Sequence, residues 1–166
     1  MTFIGIDPGL HGAIAIESAP GKVEIYPMPL IGNELDVRGI GEIFADLART
    51  GHTSDCFAML EKQQCYPKQG GVSNFSTGYG YGVLVALLTA HCIPFEEVRP
   101  QAWKKAFGLS MRGEEKSAKK AASIQKAQQL YPGVNLVMPG CRKPHDGVAE
   151  ALLLLEYGKR MKGAGK

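Results

Sequence analysis

The sequence predicts an α/β fold: a five-stranded mixed β-sheet flanked by α-helices. Three observations lead there. The turn pairs Pro8-Gly9 and Pro20-Gly21 cut the first 28 residues into three short runs rich in Ile, Val, Phe and Ala. Val37, Ile40, Ile43, Phe44 and Leu47 then recur at helical spacing. Two further short runs, CFAMLE and FEEV, stand between helical stretches, so their strands need crossover connections rather than hairpins.

In chain order, strands are expected at about 2–7, 12–18 and 22–28, forming an antiparallel meander. A helix follows over 36–50, with Gly51 as its stop signal. CFAMLE, 56–61, reads as a buried strand. The Gly-rich stretch PKQGGVSN reads as a loop leading into an apolar helix near 74–92, and FEEV, 95–98, is a last strand before Pro100. Basic or amphipathic helices are expected near 100–107, 114–130 and 146–162, with GLSMRG, 108–113, as the mobile segment between the first two.

A chain of 166 residues suits one compact domain with a real core and is too short for two lobes around a cleft. Its longest apolar runs fall far short of a membrane span, and Met1 leads straight into a strand, so no membrane partner and no export are expected. Cys56, Cys65, Cys92 and Cys141 form no CxxC pair. They read as free thiols in a reducing cytoplasm rather than as a zinc site or disulfide scaffold. Net charge is +3, but it is segregated: residues 1–98 carry −6, residues 99–126 carry +6 and residues 127–166 carry +3. Such a basic stretch suits either a polyanion-binding face or a solvated helix surface.

Acidic residues close several elements. Asp7 ends the first strand and Glu61 the fourth, and strand-end carboxylates converge when their strands are neighbours. Asp146 and Glu150 stand four apart on a helix that is mostly apolar from Val148 to Leu155, so both project from one face. Each acid has a plainer role when taken singly: a turn acid in DPG, a strand-end ion pair, a helix cap, a surface neighbour. Together they suit a hard divalent cation such as Mg²⁺ or Mn²⁺, which prefers oxygen ligands.

Three stretches in this order, IGIDPGLHGAIAI (4–16), CFAMLEKQQCYP (56–67) and HDGVAEALLLLEYG (145–158), with VRPQAWKKAFGL (98–109) and EEKSAKKAAS (114–123) between the last two, carry a family resemblance. The sequence resembles the RuvC-like Holliday-junction resolvases of the RNase H-like superfamily, especially their compact phage or prophage-type members. The likeness runs over nearly the whole chain and implies a single RNase H-like nuclease domain over 1–166. It implies a homodimer that resolves four-way DNA junctions by paired symmetric nicks, leaving 5′-phosphate and 3′-hydroxyl ends. By the same resemblance two Mg²⁺ ions, with Mn²⁺ as a substitute, are shared by Asp7 and held further by Glu61, Asp146 and Glu150. His145 is a further ligand or an activator of water. The chain departs from the pattern in one respect: many relatives space the last two ligands three apart, and here Gly147 occupies the position three before Glu150.

Lys104 and Lys116 match positions that the family uses near the DNA backbone, and Lys105, Arg112, Lys119 and Lys120 add to the basic face. Lys116, Lys119 and Lys120 share one side of the helix whose first turn holds Glu114 and Glu115. Tyr66, Phe75, Tyr79 and Tyr81 flank the Glu61 loop, where an aromatic ring can meet an unstacked base; core packing is the simpler account of Tyr79 and Tyr81. Gly78 and Gly82 share a helical face that admits another backbone, in a second copy or in the same chain. The rival readings are a nuclease for flaps, forks or RNA–DNA hybrids, a sugar-kinase or chaperone-like ATPase, and a noncatalytic DNA-binding protein. The ATPase needs a second lobe and further phosphate loops, and the intact acids argue against a protein without catalysis.

Overall fold

The computed structural model describes residues 1–49, 53–64, 70–109, 113 and 115–163. The five-stranded mixed sheet expected from the sequence is present. Strands β1 (Thr2–Asp7), β2 (Ala13–Ala19) and β3 (Lys22–Pro27) form the meander. A two-stranded hairpin, β4 (Leu30–Ile31) and β5 (Glu34–Leu35), leads into helix α1 (Val37–Arg49), and β6 (Cys56–Glu61), α2 (Gly71–Ala90) and β7 (Phe95–Val98) complete the sheet. Helices α3 (Pro100–Ala106), α4 (Lys116–Leu130) and α5 (Asp146–Gly163) close the chain. The sheet order is β3-β2-β1-β6-β7, antiparallel on the meander side of β1 and parallel between β1, β6 and β7. No helix among the described residues is long and apolar enough to cross a membrane.

Side-chain alternation along the strands divides the core into two layers. Ile4 and Ile6 of β1 and Cys56, Ala58 and Leu60 of β6 face one side, where Ile40 and Phe44 of α1 and Leu84 and Leu88 of α2 cover them. Phe57 and Met59 of β6 face the other side, packed with Trp103 of α3, Ala127 of α4 and the leucines of α5. Phe3 packs on this second side too. Two residues per repeat carries that side on from Phe3 and Gly5 to Asp7, and from Phe57 and Met59 to Glu61. Both strand-end acids therefore lie on the face that α5 covers.

Gly5 fixes how close α5 comes. A Cβ at Gly5 would lie 2.1 Å from the Ala151 carbonyl oxygen and 2.3 Å from the Leu155 amide nitrogen. The same holds at Gly147, whose Cβ would meet the His11 carbonyl oxygen at 2.1 Å, and at Gly12, where it would meet the Asp7 carbonyl oxygen at 2.1 Å. Backbone therefore rests directly on backbone along the line from β1 through its following turn.

Several boundaries differ from the sequence expectation. The hairpin at 30–35 has strands too short to show a period, and its signal is only Gly32, at φ 63° in the first central turn position that type II′ hairpins give to glycine. Helix α2 begins at Gly71 rather than near 74, so part of the presumed Gly-rich loop is helical despite its weak propensity. Helix α4 begins at Lys116 with Glu115 as its N-cap, not inside its first turn. Asp36 caps α1, its Oδ1 accepting the Gly39 amide at 2.9 Å. Arg112, Tyr66, Glu114 and half of the expected mobile segment at 108–113, residues 110–112, lie outside the described residues.

Gly5→Ala should destabilise the protein by about 3 kcal/mol or more, because the clash is with helix backbone that has no rotamer to change. Gly78→Ala, whose Cβ meets nothing within 4 Å on an exposed part of α2, should be neutral or gain up to about 1 kcal/mol in helix propensity. Urea unfolding of the two variants checks both; a Gly5→Ala loss no larger than the Gly78→Ala change would contradict the packing account.

Candidate functional site

The parallel register of β1 and β6 pairs Gly5 with Met59 and Ile6 with Leu60. One residue further on, Asp7 and Glu61 stand at the carboxyl ends of adjacent parallel strands, on one face. Asp7 keeps partial exposure although protein surrounds it deeply, and its carboxylate accepts a long hydrogen bond, 3.3 Å from the Gly9 amide. Glu61 is buried and accepts a 2.8 Å hydrogen bond from the indole nitrogen of Trp103.

Desolvation pushes the Asp7 carboxyl up to about 8, with further upward pressure from the negative charges of Glu61 and Glu150; the Gly9 amide and the Lys104 ammonium pull weakly against this. Desolvation likewise raises Glu61 to about 7, assisted by Glu150 and opposed by the Trp103 hydrogen bond and Lys104. Asp7, Glu61 and Glu150 thus form one electrostatically coupled group. Its charge is not balanced from within.

The structure separates the two acids of α5. Glu150 faces the strand-end pair, with its Oε1 2.9 Å from Lys104 Nζ and accepting a 3.1 Å hydrogen bond from Ser123 Oγ. Asp146 lies one helical turn away and pairs with Lys120 at 2.7 Å. Burial alone would raise Asp146, but the hydrogen bond and charge of Lys120 outweigh it and hold the carboxyl below its ordinary value. His145 sits at the start of α5, where its Nδ1 accepts the Gly147 amide proton at 3.1 Å and lies 4.0 Å from Asp146 Oδ1.

Lys105, Lys116 and Lys119 are exposed on α3 and α4, while Lys104 and Lys120 are turned onto acids. Phe75 and Tyr79 are exposed and stacked, with ring centroids 6.4 Å apart and planes 13° apart. Core packing therefore does not account for Tyr79. Tyr81 does pack against the core and donates a short hydrogen bond to Glu97. Gly78 and Gly82 are open, whereas Gly80, which the sequence reading passed over, is buried against Leu35. A cleft of about 610 Å³ opens beside the acid pair, lined by Pro8, Gly9, Gln63, Ser73, Ser76 and Thr77 among others.

No family model and no curated protein matches this chain. Solved structures do. A structure of T. thermophilus RuvC in complex with Holliday junction substrate superposes with a TM-score of 0.57, over 97% of this chain and 96% of that one, at 16% identity. A second Thermus thermophilus RuvC structure gives 0.54 over 98% and 97%, also at 16% identity. The chain has a RuvC-like fold. The RNase H-like architecture implied by the motif resemblance is thereby borne out.

The acid group fits divalent cations by donor chemistry: Asp7, Glu61 and Glu150 offer oxygen alone, and burial desolvates Asp7 and Glu61. Among the described residues, however, no three His, Cys, Asp or Glu side chains stand close enough to clasp one ion. The Lys104 ammonium takes that electrostatic part instead. Trp103 and Ser123 were not singled out from the sequence. The only available hint was that the one tryptophan of the chain stands directly before Lys104 and Lys105.

A carboxyl group held above its ordinary value binds its proton more tightly in the folded chain, so its contribution to stability is complete below about pH 4 and is lost as pH rises toward 8. In EDTA, the midpoint of thermal unfolding should fall between pH 5.5 and 8. Asp7→Asn should flatten that fall and melt higher than wild type at pH 8. Parallel curves for the two proteins would contradict the assignment of an unbalanced charge to Asp7.

Proposed function

We propose that this chain is a divalent-metal-dependent, structure-selective DNA endonuclease that resolves four-way junctions by paired symmetric nicks. One observation carries the reading: on a RuvC-like fold, adjacent parallel strand ends and a covering helix bring Asp7, Glu61 and Glu150 into one electrostatically coupled acidic group. The similar T. thermophilus RuvC is described with a Holliday junction substrate, which supports branched DNA as the ligand class here. On the motif resemblance we take the chain as a single nuclease domain over 1–166, of the phage or prophage type, working in the bacterial or host cytoplasm.

Asp7, Glu61 and Glu150 would hold the cations, Mg²⁺ or Mn²⁺, with Asp146 and His145 at the rim. Such ions supply an activated water and neutralise charge on the scissile phosphate and its leaving 3′-oxygen. The protein's own part is to keep the carboxylates desolvated, so that their charge acts at full strength, and to orient them. Trp103 fixes one oxygen of Glu61, and Ser123 fixes one of Glu150. The exposed Lys105, Lys116 and Lys119 offer phosphate contacts, which position DNA without reading its sequence. The open, apolar side of α2, with Val72, Phe75 and Tyr79 exposed and Gly78 and Gly82 uncovered, suits the second copy that two symmetric cuts require.

The test is nicking of a labelled four-way junction beside flap, fork, duplex and RNA–DNA hybrid substrates, in Mg²⁺, Mn²⁺ or EDTA. Symmetric, metal-dependent cuts confined to the junction are expected. Cuts in flaps or hybrids instead would move the function to a broader nuclease, and tight junction binding without cleavage would make the chain a structural DNA-binding protein. Asp7→Asn and Glu150→Gln should each lower nicking by about two to three orders of magnitude with junction binding retained, as when preorganised charge stabilisation is removed. Asp146→Asn should lose less, since Asp146 lies outside the coupled group; equal losses for Glu150→Gln and Asp146→Asn would restore both helix acids to the site.

Lys116→Ala should weaken junction binding and shallow the slope of log affinity against log salt by about one. An unchanged slope would remove Lys116 from the interface.

A further inference from the structure

Lys104 holds two positions at once. Its helix, α3, supplies the indole that fixes Glu61 and, one residue later, the ammonium that lies 2.9 Å from Glu150. That ammonium also stands 4.9 Å from the centre of the Trp103 ring, so the indole steers it toward the acids. Lys104 nevertheless keeps about a third of its side-chain surface in solvent (31%). It is therefore part of the acidic group and part of the outer basic face. An ion pair open to water on one side exchanges partners at small cost.

Resting on the nuclease reading above, we propose that Lys104 is an exchangeable counter-ion which couples cation uptake by the acidic group to binding of the nucleic-acid phosphate backbone. Without DNA, the ammonium satisfies Glu150 and moderates the charge on Asp7 and Glu61, so a divalent cation must displace it to enter. A phosphate drawn to the open side of Lys104 withdraws the ammonium from Glu150 and leaves the carboxylates in need of cations. The converse holds as well: a cation on the carboxylates frees Lys104 for a phosphate. Each ligand then raises the affinity of the other by the same factor, as linkage requires. The free protein is sealed by its own charge and takes up its ions most readily when DNA is in place.

Lys105 provides the control. It is the next residue on the same helix and carries the same charge, but it is exposed. Binding of Mn²⁺ to the free, EDTA-stripped chain is read by electron paramagnetic resonance for wild type, Lys104→Met, Lys104→Gln and Lys105→Met. Junction affinity is read by fluorescence anisotropy at constant ionic strength, in EDTA and in Ca²⁺. Melting curves confirm that each variant is folded, and the two substitutions at Lys104 guard against a packing defect peculiar to one of them. The Lys104 variants should bind Mn²⁺ at least about fivefold more tightly than wild type, the lower end of ordinary coupling between sites, with Lys105→Met unchanged. Wild type should bind the junction at least about fivefold more tightly in Ca²⁺ than in EDTA, and the Lys104 variants should lose most of that gain.

Equal Mn²⁺ affinities in all four proteins, an equal gain in Lys104 and Lys105 variants, or a Ca²⁺ gain that survives at Lys104 would overturn the exchange while leaving the nuclease reading intact. Absence of Mn²⁺ uptake in all four proteins, or undiminished uptake when Asp7→Asn is measured beside them, would overturn the nuclease reading and the exchange with it.

Discussion

The contact of helix α5 with strand β1, backbone on backbone, is the constraint from which the site follows. Gly5 and Gly147 leave no room for even a methyl group between the helix and the strand with its turn. A helix packed through ordinary side chains would stand farther from the sheet, and its polar face would not reach the strand ends. Because Gly147 touches His11 and Gly12 while Ala151 and Leu155 touch Gly5, Asp7 falls between the two levels of contact. Glu150 is the helix acid at that level. Asp146 is carried a turn beyond it, toward α4 and Lys120.

Bringing three carboxylates together at that depth works against stability. Asp7 and Glu61 are lifted far above the ordinary carboxyl range chiefly because water is excluded from them. A structural ion-pair network would have been completed with cations; this one is left short, with one ammonium at Glu150 and one indole hydrogen bond at Glu61. The contrast with Glu17 is instructive. Glu17 is also buried, yet Lys159 meets it at 2.6 Å and the Gly21 amide at 2.9 Å, a balance suited to fastening α5 to β2. A local rule of charge balance is kept near the far end of β2 and broken at the carboxyl ends of β1 and β6, the pattern expected where a site has been set apart for a ligand.

The sheet and the strand-end acids were legible because both rest on short-range pattern. Strand period assigns Asp7 and Glu61 to one face without any knowledge of what covers it. The hairpin at 30–35 was not legible, since two-residue strands have no period to read. The different placements of Asp146 and Glu150 were not legible for a different reason. Four residues apart, they share a helix face, and only the depth at which α5 meets β1 distinguishes them. That depth depends on Gly5 meeting Ala151, a contact between residues nearly the whole chain apart. Trp103 and Ser123 were hidden similarly: neither is acidic or basic, and each matters through one hydrogen bond to an acid on a distant element.

The segregation of charge along the chain takes on a different meaning once the chain is folded. Read linearly, the excess of basic residues in 99–126 is a surface feature, equally suited to water or to a polyanion. Folding pairs Lys104 and Lys120 with Glu150 and Asp146, and leaves Lys105, Lys116 and Lys119 facing solvent. The basic stretch therefore answers the acids of α5 as well as presenting charge to solvent. An isolated carboxylate cluster would attract cations but repel a phosphate. In the proposed exchange, the ammonium of Lys104 lies between cluster and solvent, so that the same few ångströms of structure would receive both, in an order set by which of them the lysine yields to.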